Sequence, residues 1–198
     1  MNNFKKDIIA IGASTGGTQA ITNILKELPS EVPGIVIVQH MPPVFTKMFA
    51  ERLDSITSLK VKEAKTGDKV LPGHVFIAPG DYHMMLIKSG NVYSLRCLEG
   101  EKVNGHRPSV DVLFNSVAET AGNNAIGIIL TGMGRDGAAG LLSMKYAGAL
   151  TIGQDEKTSV VYGMPKVAYN MGGVEKQVSL DKIAKLVLAN IIQRVDAE

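Results

Sequence analysis

The sequence predicts a doubly wound, mostly parallel α/β sheet with an antiparallel meander inserted into it, and three observations predict it. Short, wholly apolar runs end in glycine-rich or histidine-bearing turns and are followed by segments with helical spacing. Near the middle the pattern changes to strand-like segments joined by tight turns. After residue 108 the strand and helix alternation returns, which argues for right-handed crossovers on a parallel sheet.

Residues 7–11 form the first buried strand, running into Gly12-Ala13-Ser14. Residues 18–28 carry Ile21, Ile24, Leu25 and Leu28 on one helical face, and Pro29 stops them. Residues 35–38 are the next strand, interrupted by Gln39-His40-Met41-Pro42-Pro43. Residues 44–53 read as a helix with Phe45, Met48, Phe49 and Leu53 on one side. Residues 74–78, 82–87 and 92–97 read as three strands, punctuated by Pro79-Gly80-Asp81 and Ser89-Gly90-Asn91, so an antiparallel insertion is expected over about 74–97. Residues 99–107 are polar and contain Gly100 and Gly105, the marks of a surface loop. Ser109 caps a helix running to about residue 121, with Asp111 favoured in its first turn. Residues 125–130 are a strongly apolar strand that leads into Thr131-Gly132-Met133-Gly134-Arg135-Asp136-Gly137. A helix over 141–146, a strand over 149–152 and an amphipathic helix over 179–193 close the chain.

Composition sets the frame. At 198 residues, 45% hydrophobic and 20% charged, the chain reads as one folded domain over 1–198, without repeat or linker. Aromatics are 5% and tryptophan is absent, so the core rests on aliphatic residues and methionine. The formal charge is +2 and no Lys/Arg run exceeds two, so no nucleic-acid partner is expected. Cys97 stands alone, which rules out an internal disulfide and a Cys-rich structural zinc site and favours a reducing compartment. Lys5-Lys6 before residues 8–11 imitates a signal peptide, but the apolar stretch is too short. No stretch approaches the ~20 apolar residues of a membrane span, so membrane insertion is not expected and the cytoplasm is the expected location.

Ligands of an open parallel sheet collect beyond the carboxyl ends of its strands. Three strand ends here deliver a nucleophile, a base and a carboxylate: Ser14, His40 and Asp136. Gly12-x-Ser14-x-Gly16 has the Gly-x-Ser-x-Gly pattern in its required setting, a strand turning sharply into a helix. The glycines permit a tight, strained turn, and N–H groups at the helix start can stabilise an oxyanion. A serine hydroxyl needs a base, and the base needs a third group to orient it. The order Ser…His…Asp differs from the Ser…Asp…His of α/β-hydrolases.

Other readings of these residues stand beside this one. A glycine-rich turn after a first strand also serves as a phosphate cradle, and a non-catalytic phosphate- or nucleotide-binding module is the alternative function. The turn is not Gly-x-Gly-x-x-Gly, however, and lacks a Gly-Lys-Ser/Thr ending. His74, His83 and His106 are rival bases, and Asp136 before Gly137 also reads as a helix cap.

Five stretches taken together carry a resemblance. They are Ile9-Ala-Ile-Gly-Ala-Ser-Thr-Gly-Gly17, Val38-Gln-His-Met-Pro42, Ala78-Pro-Gly-Asp-Tyr-His83, His106-Arg-Pro-Ser-Val-Asp-Val-Leu-Phe114 and Leu130-Thr-Gly-Met-Gly-Arg-Asp-Gly-Ala138. In this order they resemble the signature stretches of the catalytic domain of the chemotaxis protein-glutamate methylesterases. The resemblance implies Ser14 as nucleophile, His40 as general base and acid, and Asp136 as orienting carboxylate. It also implies that Thr15, Gly16, Gly17 and Met133 line the site or serve the oxyanion. The implied reaction is hydrolysis of glutamate methyl esters on the cytoplasmic helices of chemoreceptors, releasing methanol, with deamidation of receptor glutamines beside it and no cofactor or metal. Family members often carry a receiver domain. Only six residues precede Asp7, so the resemblance here is to the catalytic domain without the receiver.

Overall fold

Runs that are apolar at every position offer no face to water, so they belong in the middle of a sheet covered on both sides. In the computed structural model, which describes Phe4 and residues 6–191, they take that place. The first half of the chain runs β1 (Ile8–Ala13), α1 (Gly17–Glu27), β2 (Gly34–Gln39), α2 (Phe45–Ile56), β3 (Lys60–Glu63) and β4 (His74–Ile77). An antiparallel pair follows, β5 (His83–Ser89) and β6 (Val92–Leu98). The second half runs α3 (Val110–Thr120), β7 (Ala125–Ile129), α4 (Ala138–Tyr146), β8 (Leu150–Gln154), α5 (Met164–Asn170), β9 (Lys176–Val178) and α6 (Leu180–Ile191).

Seven strands pair in the order β3-β4-β2-β1-β7-β8-β9, every pair parallel. The chain grows outward from β1 in both directions, which makes the fold doubly wound as expected. Alternate residues of β1 face opposite layers. Ile9 and Ile11 pack with Ile21, Ile24 and Leu25 of α1 and with Val187 of α6. Ile8 and Ala10 share the other core with Leu113 and Phe114 of α3 and Leu141 of α4.

The antiparallel insertion is narrower than expected. The segment read as its first strand is β4, which pairs parallel with β2 (Ile35 opposite Val75) and with β3. Pro79-Gly80-Asp81 therefore turns the chain out of the main sheet rather than closing a hairpin. What remains is a two-stranded β5–β6 ribbon whose edges are covered by side chains and a loop. On α3, Ser116 Oγ accepts the Leu86 N–H at 2.9 Å, and Thr120 Oγ1 donates to the Leu86 carbonyl at 3.1 Å. On the other edge, Gly67 and Val70 donate to the carbonyls of Leu95 and Tyr93. The edge strands β3 and β9 and the short helix α5 were not anticipated. β3 alternates Lys60, Val61, Lys62, Glu63, a polar edge pattern that reads as loop. Of the closing helix expected over 179–193, the last two positions lie outside the described residues. Among the described residues no helix is long and apolar enough to cross a membrane.

Val110 is wedged between β1 and the loop before α4. A Cβ on Gly12 would lie 2.1 Å from Val110 Cγ1, and one on Gly137 would lie 2.5 Å from it. Gly12→Ala is expected to cost about 1–3 kcal/mol through overpacking. The double variant Gly12→Ala/Val110→Ala should lose less than the two single variants summed, because removing Val110 methyls frees the space. Urea denaturation of the four proteins measures this, and strict additivity would show that Val110 is not the obstacle.

Candidate active site

Because β1, β2 and β7 are adjacent, the turns that follow them meet at one edge of the sheet. The ladder continues past the strand ends: His40 N–H donates to the Ala13 carbonyl at 3.1 Å, and Ser14 N–H to the Thr131 carbonyl at 3.0 Å. Three buried side chains fasten the turns further. Gln39 Nε2 donates to the carbonyls of Ser14 (3.0 Å) and His40 (3.2 Å). Thr131 Oγ1 donates to the Thr15 carbonyl at 3.0 Å, while Gln154 Oε1 accepts the Thr131 N–H at 2.8 Å.

The serine turn places its left-handed backbone at a glycine. Among the described residues, positive φ outside glycine occurs at Val44, Asp81 and Asn104, and Ser14 is not one of them. Gly16, the N-cap of α1, takes the left-handed conformation instead, at φ 81°. Ser14 is half-buried, and its hydroxyl makes no hydrogen bond among the described residues. Thr15 is exposed, and the N–H groups of Thr15 and Gly16 are without a partner among the described residues. Gly17, expected beside them, is different. It is buried, its N–H is taken by the Ser14 carbonyl at 2.8 Å, and a Cβ there would meet Gln39 Oε1 at 2.1 Å. Gly17 thus serves close packing and has no donor for an oxyanion. Met133 stands exposed on the neighbouring turn.

His40 Nε2 lies 2.8 Å from Asp136 Oδ2, with Asp136 buried and the His40 side chain 9% exposed. An ionised carboxylate only accepts, so Nε2 donates the hydrogen, and the tautomer of the ring that can act as a base holds its lone pair on Nδ1. Nδ1 is buried without a partner. In the usual serine triad the ring is wired the other way, with Nδ1–H on the acid.

Asp136 also caps a helix, but not the one its sequence position suggests. Helix α4 has Gly137 as its N-cap and no side-chain cap. Asp136 instead receives the first N–H groups of α3, with Val110 N–H on Oδ2 at 2.7 Å and Asp111 N–H on Oδ1 at 3.2 Å. Ser109 Oγ (2.7 Å) and Asn104 Nδ2 (3.1 Å) complete Oδ1. Burial alone would raise this carboxyl's pKa. The hydrogen bonds from His40, Ser109, Val110 and Asn104 outweigh it and bring the value down to about 2. The neighbouring Asp111 goes the other way. Its burial raises its pKa against the hydrogen bonds of the Gly140 N–H and Asn104, and Asp136 adds to the rise.

The rival histidines separate by geometry. His83 is buried with both nitrogens engaged, Nε2 on the Glu101 carbonyl at 2.9 Å and Nδ1 accepting the Ser109 N–H at 3.2 Å. His74 donates Nδ1–H to the Pro72 carbonyl. His106, the rival base in the polar loop, lies flat on His40, with ring centroids 3.7 Å apart and planes 10° apart. Sequence reasoning missed this contact and those of Asn104 and Gln39. The one available signal was Asn104-Gly105, a turn pair inside the polar loop. Burial, with Asp68 and Glu63 adding, pushes the Cys97 thiol up to about 11, so it stays protonated at neutral pH and does not compete as a nucleophile. Among the described residues no cluster of three or more His, Cys, Asp or Glu is arranged to hold a metal ion.

Five donors around one carboxylate set a test. An asparagine at 136 can accept at only one of its two positions, so its NH₂ must face at least two donors. Asp136→Asn is expected to lose about 1–3 kcal/mol of stability at pH 7. Because the folded pKa is depressed, the carboxylate's stabilisation is present above the unfolded value near 3.9 and is lost as pH falls through about 2. Urea denaturation of both proteins across pH 2–7 should show the gap between them closing at the acid end. A gap independent of pH would mean that the charge is not what the donors hold.

Known proteins share this architecture. A family model described as CheB methylesterase matches residues 9–187. A Salmonella typhimurium protein named protein-glutamate methylesterase/protein-glutamine glutaminase is 58% identical over 184 residues, covering 93% of this chain and 53% of that protein. A Syntrophotalea carbinolica protein of the same name is 54% identical over 187 residues, 94% of this chain and 53% of that protein. The chain spans about half the length of the curated relatives it matches. The crystal structure of the Thermotoga maritima CheB methylesterase catalytic domain aligns with a TM-score of 0.90 at 40% identity, over 93% of this chain and 98% of that one. On this sequence match and this shared fold, the chain belongs to the CheB methylesterase family.

Proposed function

We propose that the protein hydrolyses methyl esters of glutamate side chains on chemotaxis receptors, with Ser14 as nucleophile, His40 as base and Asp136 as its orienting acid. The observation that carries this reading is the His40–Asp136 pair: an imidazole donating to a buried carboxylate, with its second nitrogen bare, one strand away from Ser14. Ser14 Oγ attacks the ester carbonyl as His40 Nδ1 takes its proton, and Asp136 stabilises the imidazolium that forms. The N–H groups of Thr15 and Gly16 receive the oxyanion. Collapse of the tetrahedral intermediate returns the proton to the leaving methoxide and expels methanol. Water then cleaves the acyl-serine by the same path and leaves the glutamate carboxylate. A glutamine amide follows the same steps with ammonia leaving, the second activity in the relatives' name.

A protein substrate suits the surroundings better than a small ester. Phe45 and Met48, shortly after His40, are exposed, as are Met133 and Val160, the latter beside Gly16. Large apolar side chains grouped around strand ends are the mark of a surface that a protein covers. A phosphate cradle is less well supported, since the N–H groups of Ser14 and Gly17 are already bonded within the protein.

Ser14→Ala is expected to fold with an unchanged thermal midpoint and to lose about 10⁴–10⁶ of the rate of methanol release from methylated receptor membranes. Retention of more than about a tenth of the wild-type rate would rule out attack by Ser14.

A further inference from the structure

We propose that the four-residue turn Val103–His106 is the positioning device of this site, with Asn104 fixing Asp136 and His106 fixing the plane of His40. The inference rests on the role of the His40–Asp136 pair proposed above. Val103 and His106 exchange both backbone hydrogen bonds at 3.0 Å, and the two residues between them have positive φ, Asn104 at 51° and Gly105 at 80°. That is a two-residue type I′ hairpin, the tightest way to place two side chains a fixed distance apart.

Each of those side chains touches one member of the pair. Asn104 Nδ2 donates to Asp136 Oδ1 at 3.1 Å and to Asp111 Oδ2 at 2.7 Å. Its two amide hydrogens stand between two buried carboxylates, so the amide both separates them and sets where Asp136 Oδ2 points. The His106 ring lies face to face on His40. A histidine's χ2 is broad, and one hydrogen bond at Nε2 leaves the ring free to swing about it. The stack removes that freedom and directs the Nδ1 lone pair. A neutral His106 also offers a π-face to the imidazolium that forms during the reaction. Burial, with His40 and Lys102 adding and Asp136 opposing, lowers the His106 pKa and keeps that ring neutral.

The test compares Asn104→Gly, His106→Ala and His106→Phe with wild type. Glycine keeps the left-handed turn and removes only the amide, while phenylalanine keeps a flat ring in the stack. With methylated receptor membranes as substrate, Asn104→Gly and His106→Ala should lower kcat about 10–100-fold with KM within about twofold. His106→Phe should recover most of that loss. The second readout is the ¹⁵N spectrum of the His40 ring in a Ser14→Ala background. It should show hydrogen on Nε2 alone with the turn intact and an averaged tautomer in Asn104→Gly and His106→Ala. The His106 pair keeps the test readable if Asn104→Gly does not fold. Wild-type kcat in His106→Ala with an unchanged His40 spectrum would overturn the inference. An inactive wild type would overturn the proposed function instead, and the spectrum would still decide whether the turn orients His40.

Discussion

A carboxylate removed from water has to find its hydrogen bonds inside the protein, and Asp136 finds five from three separate segments. They come from the end of β2, the hairpin before α3, and the first turn of α3 itself. The charge therefore fixes where α3 begins, how the 103–106 hairpin lies, and which way His40 faces. The N-terminus of α3 brings aligned backbone dipoles and unpaired N–H groups, which favour an anion more than side chains alone would. This is how a side chain buried enough to have its pKa raised stays ionised. A neutral acid in the same place would leave donors unmet and the imidazole unheld.

Close packing makes that geometry available. Val110 can reach Asp136 through its N–H because Gly12 and Gly137 leave room for its methyls on either side. Gly132 crosses directly over Ser14, where a Cβ would fall 2.7 Å from Ser14 Cβ. The glycines of these motifs thus serve two ends. Gly16 supplies the one left-handed position in the serine turn, and Gly12 and Gly132 let backbone pass against side chains. Because Gly16 takes the left-handed position of the turn, Ser14 needs no positive φ.

What could be read from the sequence, and what could not, follows from the range of the interactions. β1, β2 and β7 were legible because burial on both faces writes an unbroken apolar run. Ser14, His40 and Asp136 followed as the unusual residues at those strands' ends. The assignment of residues 74–78 to the antiparallel meander failed because a short strand between turns looks alike in either direction. Only its pairing with Ile35–Ile37 distinguishes the two. β3 and β9, each with one edge toward solvent, carry too few apolar residues to stand out. The contacts of Asn104 and His106 were hidden for a further reason. They lie in a polar loop, and their partners are distant in sequence. Likewise Asp136 reads as a cap for the helix that follows it, whereas it caps one that begins 27 residues earlier in the chain at Ser109.

A buried polar atom without a partner typically costs about 1–3 kcal/mol, so its location carries information. Among the described residues three such side-chain atoms occur: Gln39 Oε1, His40 Nδ1 and Arg107 Nε. All three belong to the site. Gln39 holds the backbones of Ser14 and His40, and Arg107 follows His106 and lines the cleft that His40 borders. Elsewhere among the described residues buried side-chain polar atoms are matched, down to the hydroxyls of Ser116 and Thr120 that cover the edge of β5. Among the described residues the unmatched buried side-chain atoms thus gather beside His40, where they leave acceptor and donor capacity unused. His40 Nδ1 is the sharpest case. One more partner there would stabilise the free protein, yet it would also occupy the lone pair that the proposed proton transfer from Ser14 uses.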